Sequence, residues 1–220
     1  MKNRKIYLLS GLGVDGRVFD NIDLKEYQPQ LVEWIPPRNY EDISDYAQRL
    51  SARIEPNSIL IGLSFGGMVA IEMAKYIPIN KIILISSASY FRQIPWFFRL
   101  WDWSKIIKIL PKNFILKANP VTFWLFGITR QHEKILLRQI LADTDYHFLI
   151  WAVRQITQWK NTEVNTEVVH LHGTKDRLLL KPTEISSIDM LKYGIENGGH
   201  FMIITHSEEI TSIIKKELNR

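Results

Sequence analysis

The chain has 220 residues, of which 46% are hydrophobic and 23% are charged. This composition is that of a globular protein with one buried core, and it excludes a disordered or fibrous chain. The sequence contains no cysteine, which excludes disulfides, thiol nucleophiles and cysteine-ligated metal sites. We therefore expect a reducing, cytoplasmic location.

The positive charge is concentrated in the middle of the chain. Residues 91–160 contain 11 Lys and Arg against 4 Asp and Glu, a balance of +7, whereas the other 150 residues carry 17 against 19, a balance of −2. The same segment holds six of the seven tryptophans. A basic, aromatic-rich segment is thus inserted into an otherwise nearly neutral chain.

The N-terminal sequence has a basic start and an apolar stretch at residues 6–14, as a secretory signal does. The stretch is interrupted by Ser10 and two glycines, is followed directly by Asp15 and Arg17, and lacks a small-x-small cleavage site. We interpret it as a first strand and a turn. No apolar run approaches the roughly 18 residues of a membrane-spanning helix, so no stable membrane insertion is expected.

The first part of the chain alternates between strand and helix patterns. Residues 6–10 and 31–35 are short β-type runs, and two prolines close the second run. Residues 43–54 place apolar side chains at helical spacing. The continuous apolar run at 58–63 is typical of a buried parallel strand, and a helical pattern follows at 66–78. This alternation predicts a parallel sheet covered by helices.

The alternation includes a further strand at 81–86 and stops near residue 90. From there, residues 91–160 are mostly helix-like. Strand patterns return at 167–173 and at 190–196.

A closing helix is predicted at 208–218, with Ser207 as its N-cap. The predicted fold class is α/β, with a mostly parallel sheet of about six strands and helices on both faces. A helical cap at 91–160 is expected to be inserted after the strand at 81–86, within a single domain that spans residues 1–220.

The sequence from Gly62 to Gly66 reads GLSFG and matches the G-x-S-x-G nucleophile elbow. In this turn between a strand and a helix, the serine adopts a strained conformation, and glycines flank it because a Cβ there would clash with neighbouring backbone. The alternative interpretation is an ordinary strand-to-helix turn packed with small residues. The strand pattern before Ser64 and the helix pattern after it favour the elbow.

A serine hydroxyl becomes a good nucleophile only when a base removes its proton and a third group orients that base. The sequence offers Asp176 in HLHGTKD, just after a predicted strand, and His200 in ENGGH, 24 residues later. Both loops are expected at the carboxyl edge of the parallel sheet, where such sheets bind ligands. Asp176 as a solvated turn residue and His200 as an ordinary loop histidine are the alternatives, and the serine, acid, histidine order favours catalysis.

With these motifs, the chain outside the cap resembles the α/β-hydrolase fold family. In that family, a strand followed by H-G-x-G donates a backbone N–H to the oxyanion, and the matching stretch here is Ser10-Gly11-Leu12-Gly13. The resemblance implies that the N–H groups of Leu12 and Phe65 form an oxyanion hole. Serine stands at position 10 where histidine is usual, and we expect this change to alter how the loop is held.

The resemblance implies a serine hydrolase of carboxylic esters or thioesters that needs no cofactor and no metal. Relatives of this small architecture include C–C and cyanohydrin lyases and non-catalytic small-molecule receptors, and fold alone does not separate these functions. A dehydrogenase is a weaker alternative. The stretch GLGVDG has the G-x-G-x-x-G spelling, with Glu33 about 20 residues further on, but it competes with a complete triad order.

The cap is expected to supply the substrate contacts. Aromatic residues in it would line a pocket for an apolar acyl or ring group, and we name Trp96, Trp101 and Trp124 as candidates. Packing of these rings onto the core is the alternative, as is a merely solvated basic face. The charge balance of +7 fits an anionic small-molecule substrate. No nucleic-acid-binding module is present, and the sequence does not determine the oligomeric state.

Overall fold

The computed structural model describes residues 4–100, 105, 106, 109, 112, 116–180 and 190–220. The described strands form one six-stranded sheet in which every neighbouring pair is parallel, in the order β2-β1-β3-β4-β5-β6. The strands are β1 Ile6–Leu9, β2 Gln30–Leu31, β3 Ser58–Leu63, β4 Ile79–Ile85, β5 Glu167–Gly173 and β6 Met190–Ile195.

Helices follow the strands in the α/β manner that the sequence predicts. The described helices are α1 Ile43–Ser51, α2 Phe65–Met73, α3 Trp96–Leu100, α4 Pro120–Phe126, α5 Gln131–Ala142, α6 Tyr146–Gln158, α7 Met202–Thr205 and α8 Ser207–Leu218. Helices α3 to α6 all lie between β4 and β5 in the chain, and the described part of that interval contains no strand. None of the described helices is long and apolar enough to cross a bilayer.

The core lies on both faces of the sheet because successive side chains of a strand point to opposite faces. Leu60 of β3 packs in a cluster with residues of α1 and α2. Its neighbours Ile59 and Ile61 pack in a second cluster, which includes Ile203 of α7 and Ile210 of α8. The predicted parallel sheet with helices on both faces is therefore confirmed.

Two local predictions were wrong. The second strand ends at Leu31 rather than continuing to residue 35, because it is an edge strand with one partner and the following side chain of Trp34 turns inward. The last helix has His206, not Ser207, at its N-cap, and no side chain caps it. Helix α7 runs to Thr205, so only His206 remains as the junction between the two helices.

The segment after β2 is fixed to α1 by Tyr46. Its buried hydroxyl donates to the carbonyl oxygen of Ile35 at 2.9 Å and accepts from the backbone N–H of Ile35 at 3.1 Å. The ring packs against Trp34, whose centroid is 6.3 Å away. Trp34 also contacts the loop after β1, through a hydrogen bond to Ser10. Tyr46 therefore helps to hold this loop in place through Trp34.

We expect Tyr46→Phe to lower the free energy of unfolding by about 1–3 kcal/mol, because both backbone groups of Ile35 lose their partner in a buried site. Urea unfolding followed by circular dichroism measures this change. Tyr40→Phe is the matched control, since Tyr40 is 101% exposed. An equal loss of unfolding free energy in the two variants, or no loss in either, would contradict this role of Tyr46.

Candidate active site

Ser64 occupies the turn between β3 and α2 in a conformation that residues with a Cβ rarely adopt. Its φ is 49° and its ψ is −118°, and a positive φ is strained for a non-glycine residue. Hydrogen bonds to its backbone hold the residue there. Its N–H donates to the carbonyl of Ile85 at 2.9 Å, and its own carbonyl accepts from the N–H of Gly67 at 3.0 Å and from the Ser87 hydroxyl at 2.6 Å.

The two motif glycines are required by close approach of backbone. A Cβ on Gly66 would overlap the carbonyl oxygens of Leu9 and Ser10, at the end of β1. A Cβ on Gly62 would overlap the backbone of Gly67, in the first turn of α2. The packing of α2 against the strand ends therefore requires glycine at both positions of the motif.

The structure brings Ser64, His200 and Asp176 into one hydrogen-bonded chain. His200 Nε2 lies 2.9 Å from Ser64 Oγ, and His200 Nδ1 lies 2.9 Å from Asp176 Oδ2. The Asp176 side chain is fully buried and that of His200 nearly so. When Nδ1 carries the proton and its N–H donates a hydrogen bond to the carboxylate, Nε2 is free to accept the serine proton. This is the arrangement of a nucleophile with an oriented base.

The sheet explains why residues so distant in sequence meet. Asp176 follows β5 and His200 follows β6, and these strands are adjacent and parallel, so their carboxyl ends lie at the same edge as that of β3. The two loops are also joined directly, because the N–H of Lys175 donates to the carbonyl of Gly198 at 2.9 Å.

Asp176 is held in its charged form. Burial raises the pKa of its carboxyl and is the largest single effect, whereas the electrostatic interaction and the hydrogen bond with His200 lower the pKa. The backbone N–H groups of Leu178 and Leu179 donate to Oδ1 at 2.8 and 3.1 Å and act in the same direction. The net pKa lies below the usual range of an aspartate, so the carboxylate persists to orient His200.

Leu12 and Phe65 lie next to the nucleophile, as the predicted oxyanion hole requires. A Cβ added to Gly11 would be 3.3 Å from the Cβ of Ser64, which shows how closely the loop approaches the serine. Phe65 is the first residue of α2, whose N–H has no partner within the helix. Among the described residues, neither N–H donates to a protein group.

Ser10, at the position where histidine is usual, is tied to a tryptophan. The buried Ser10 hydroxyl accepts a hydrogen bond from Trp34 Nε1 at 3.0 Å. On the other side of the loop, the Thr144 hydroxyl donates to the carbonyl of Gly13 at 3.0 Å. The loop is thus fixed at both ends. The sequence analysis did not identify Trp34, the one tryptophan outside 91–160, as a contact of this loop.

An apolar cavity of about 240 Å³ opens beside Ser64 and His200. Helices α3, α4 and α6 contribute to its walls, so the segment between β4 and β5 covers the nucleophile. The ring of Phe126 packs edge-on against that of His200, with centroids 5.6 Å apart. The apolar side chains that line the cavity are Leu12, Val14, Leu63, Met68, Ile94, Phe98, Phe126, Val153, Ile156, Leu178, Leu179 and Phe201.

The structure does not place Trp96 or Trp124 at this cavity. Trp96 is 67% exposed and Trp124 is 58% exposed, and Trp101 lies outside the described residues. On these two helices the rings that line the cavity are instead Phe98 and Phe126, each two positions later than the tryptophan. Two positions correspond to about 200° around a helix, so the tryptophans point the opposite way.

Asp176 is expected to make stability depend on pH in the acid range. Its pKa is lowered in the folded protein, so its contribution is present above the ordinary aspartate pKa and is lost as pH falls through the folded value. Asparagine does not titrate. The difference in free energy of unfolding between the natural protein and Asp176→Asn should therefore shrink between about pH 6 and about pH 2, as urea titrations at each pH would measure. A difference that stays constant over this range would contradict the assignment.

Comparisons with known proteins support the fold described above. Solved structures with a similar fold include MenH from S. aureus, with a TM-score of 0.77, 19% identity and coverage of 100% of this chain and 94% of the other. The esterase EaEST from Exiguobacterium antarcticum has a TM-score of 0.73 and 16% identity, over 99% of this chain and 92% of that one. The thermophilic esterase from Thermogutta terrifontis has a TM-score of 0.70 and 15% identity, over 98% of this chain and 89% of that one. At these identities the likeness concerns the fold.

No curated protein matches the chain. A family model described as the alpha/beta hydrolase family matches residues 6–212, which include Ser64, Asp176 and His200. Since the match extends over nearly the whole sequence, this chain belongs to the alpha/beta hydrolase family.

Proposed function

We propose that this protein is a serine hydrolase that cleaves a carboxylic ester or thioester with an apolar acyl or ring group. The single observation that carries the proposal is the hydrogen-bonded chain from Ser64 through His200 to the buried Asp176, at the wall of an apolar cavity. A nucleophile, its base and the group that orients the base are then together beside a space of the right polarity.

In the proposed first half-reaction, Ser64 Oγ attacks the carbonyl carbon while its proton moves to His200 Nε2. The carbonyl oxygen becomes an oxyanion that accepts hydrogen bonds from the N–H groups of Leu12 and Phe65. The bond to the leaving group breaks as His200 returns the proton to that group, and an acyl-enzyme remains. Asp176 stabilises the imidazolium in between.

In the second half-reaction, water attacks the acyl-enzyme and gives its proton to His200. The oxyanion forms again at the same two N–H groups, and collapse releases the acid and restores the Ser64 hydroxyl. The acyl or ring group would occupy the cavity of about 240 Å³, where walls such as Phe98 and Phe126 exclude water. The esterases among the similar structures support this reaction class.

Steady-state hydrolysis of p-nitrophenyl esters tests the proposal. We expect turnover by the natural protein and a fall in kcat of about 10⁴-fold or more for Ser64→Ala, because no other group would attack the carbonyl. Ser212→Ala, an exposed serine on α8, is the control and should retain full activity.

Rapid-quench mass spectrometry with the same esters separates the alternatives. An acyl adduct on Ser64 within the first turnover supports the hydrolase. Turnover of other substrates without any adduct would favour a lyase, and tight ligand retention without turnover would favour a receptor. Either result would overturn the proposal.

Ser87→Ala is expected to lower kcat about tenfold with little change in KM. The Ser87 hydroxyl donates to the carbonyl of Ser64 at 2.6 Å and does not line the cavity, so its loss should loosen the strained turn without removing a substrate contact. The kcat and KM of the p-nitrophenyl esters, measured beside the unfolding free energy, report the two effects. An unchanged kcat in a variant that is less stable would assign Ser87 to stability alone.

A further inference from the structure

A second and larger cleft, of about 830 Å³, is lined by parts of α4 and α5 and by the loops after β5 and β6. We call it the basic cleft, because five of its lining side chains are cations and one is an acid. The cations are Arg130, Lys134, Arg138, Lys175 and Arg177.

The acid in the basic cleft, Glu133, can offset only one of these five charges. It is buried, and its carboxylate accepts the backbone N–H of Arg130 at 3.1 Å, at the start of α5. Within the described part of the chain, none of the five cations forms an ion pair with a carboxylate. The cleft therefore carries an excess of positive charge that the protein leaves uncompensated.

Aromatic rings hold three of the cations at the cleft. The guanidinium of Arg177 lies 4.6 Å from the ring of Trp124 and also donates to its carbonyl oxygen. Arg138 and Lys134 lie 4.9 and 5.6 Å from the ring of Phe123. Such contacts restrict long flexible side chains, which lowers the entropy lost when they bind an anion.

The basic cleft begins beside the catalytic candidates. Lys175 and Arg177 flank Asp176 in the chain, and Gly199, which also lines the cleft, precedes His200. In an acyl transfer, the general acid gives its proton to the leaving group, so the leaving group departs on the side of the histidine. The apolar cavity and the basic cleft meet neighbouring residues of the loop after β6, since Gly199 lines the cleft and His200 and Phe201 line the cavity.

We propose that the basic cleft binds the leaving group of the substrate, and that this group carries several phosphate charges, as in an acyl thioester of coenzyme A. The inference rests on the proposed hydrolase function. Five cations are more than a leaving group with a single carboxylate would require for charge compensation. Guanidinium groups also match the geometry of phosphate oxygens. The acyl part occupies the apolar cavity, and the phosphates contact Arg130, Lys134 and Arg138.

Two thioesters with the same acyl group test the inference, one of coenzyme A and one of N-acetylcysteamine, which retains the thioester but lacks the phosphates. We expect the natural protein to prefer the coenzyme A thioester, measured as the ratio of the two kcat/KM values. In Lys134→Gln/Arg138→Gln this ratio should fall about tenfold. The control Arg154→Gln/Lys160→Gln removes the same charge from exposed positions outside the cleft and should keep the ratio.

Two results would overturn the inference: a ratio near one in the natural protein, or equal falls in the two double variants, which would indicate net charge rather than the cleft. Failure of both thioesters and of the p-nitrophenyl esters to react would instead contradict the proposed function. Calorimetric titration with coenzyme A itself then tests whether the basic cleft binds it. Binding that weakens in Lys134→Gln/Arg138→Gln but not in the control supports the cleft, and no binding by the natural protein rejects it.

Discussion

The strained turn at Ser64 is the constraint on which the rest of the structure depends. A residue with φ of 49° persists only where its surroundings hold it. Here the carbonyl of Ile85 and the hydroxyl of Ser87 supply that hold from β4 and the loop that follows it. These contacts keep Ser64 in its strained conformation. The Ser64 hydroxyl lies at the carboxyl edge of the sheet and faces His200.

The described helices between β4 and β5 cover this edge of the sheet and line the cavity beside Ser64. This helical segment is anchored by polar contacts to α2 and to the residues just before α1. Trp159 Nε1 donates to the buried carboxylate of Glu72 at 2.8 Å, and Trp151 Nε1 donates to the carbonyl of Glu41 at 2.8 Å. These tryptophans bind the segment to the helices beneath, whereas Phe126 approaches His200. The aromatic residues of the segment thus divide into anchors and cavity walls.

Much of the fold was predictable because its signals are local. The continuous apolar run of β3 and the strand at Glu167–Gly173 were read directly from composition and spacing. The meeting of Ser64, Asp176 and His200 was predictable as well, since a parallel sheet brings the ends of its strands to one edge. Their catalytic roles remain a proposal.

Contacts set by tertiary packing were not predictable. The hydrogen bond from Trp34 to Ser10 joins positions 24 residues apart, and nothing in the sequence of the loop specifies its partner. Which ring of a helix faces the substrate depends on how that helix is rotated. The sequence analysis named Trp124 as a substrate contact. The rotation of α4 instead directs Phe126 into the apolar cavity and leaves Trp124 in the basic cleft. Helix spacing alone does not reveal that rotation.

The central claim is that His200 and Asp176 activate Ser64 as a nucleophile. Intact-mass spectrometry after treatment with a fluorophosphonate tests it most directly, because such reagents phosphonylate activated serines. The account predicts one adduct on the natural protein, none on Ser64→Ala, and much slower labelling of His200→Ala. Folded natural protein that stays unmodified by both a large and a small fluorophosphonate, so that access through the helical segment is not the limit, would contradict the claim.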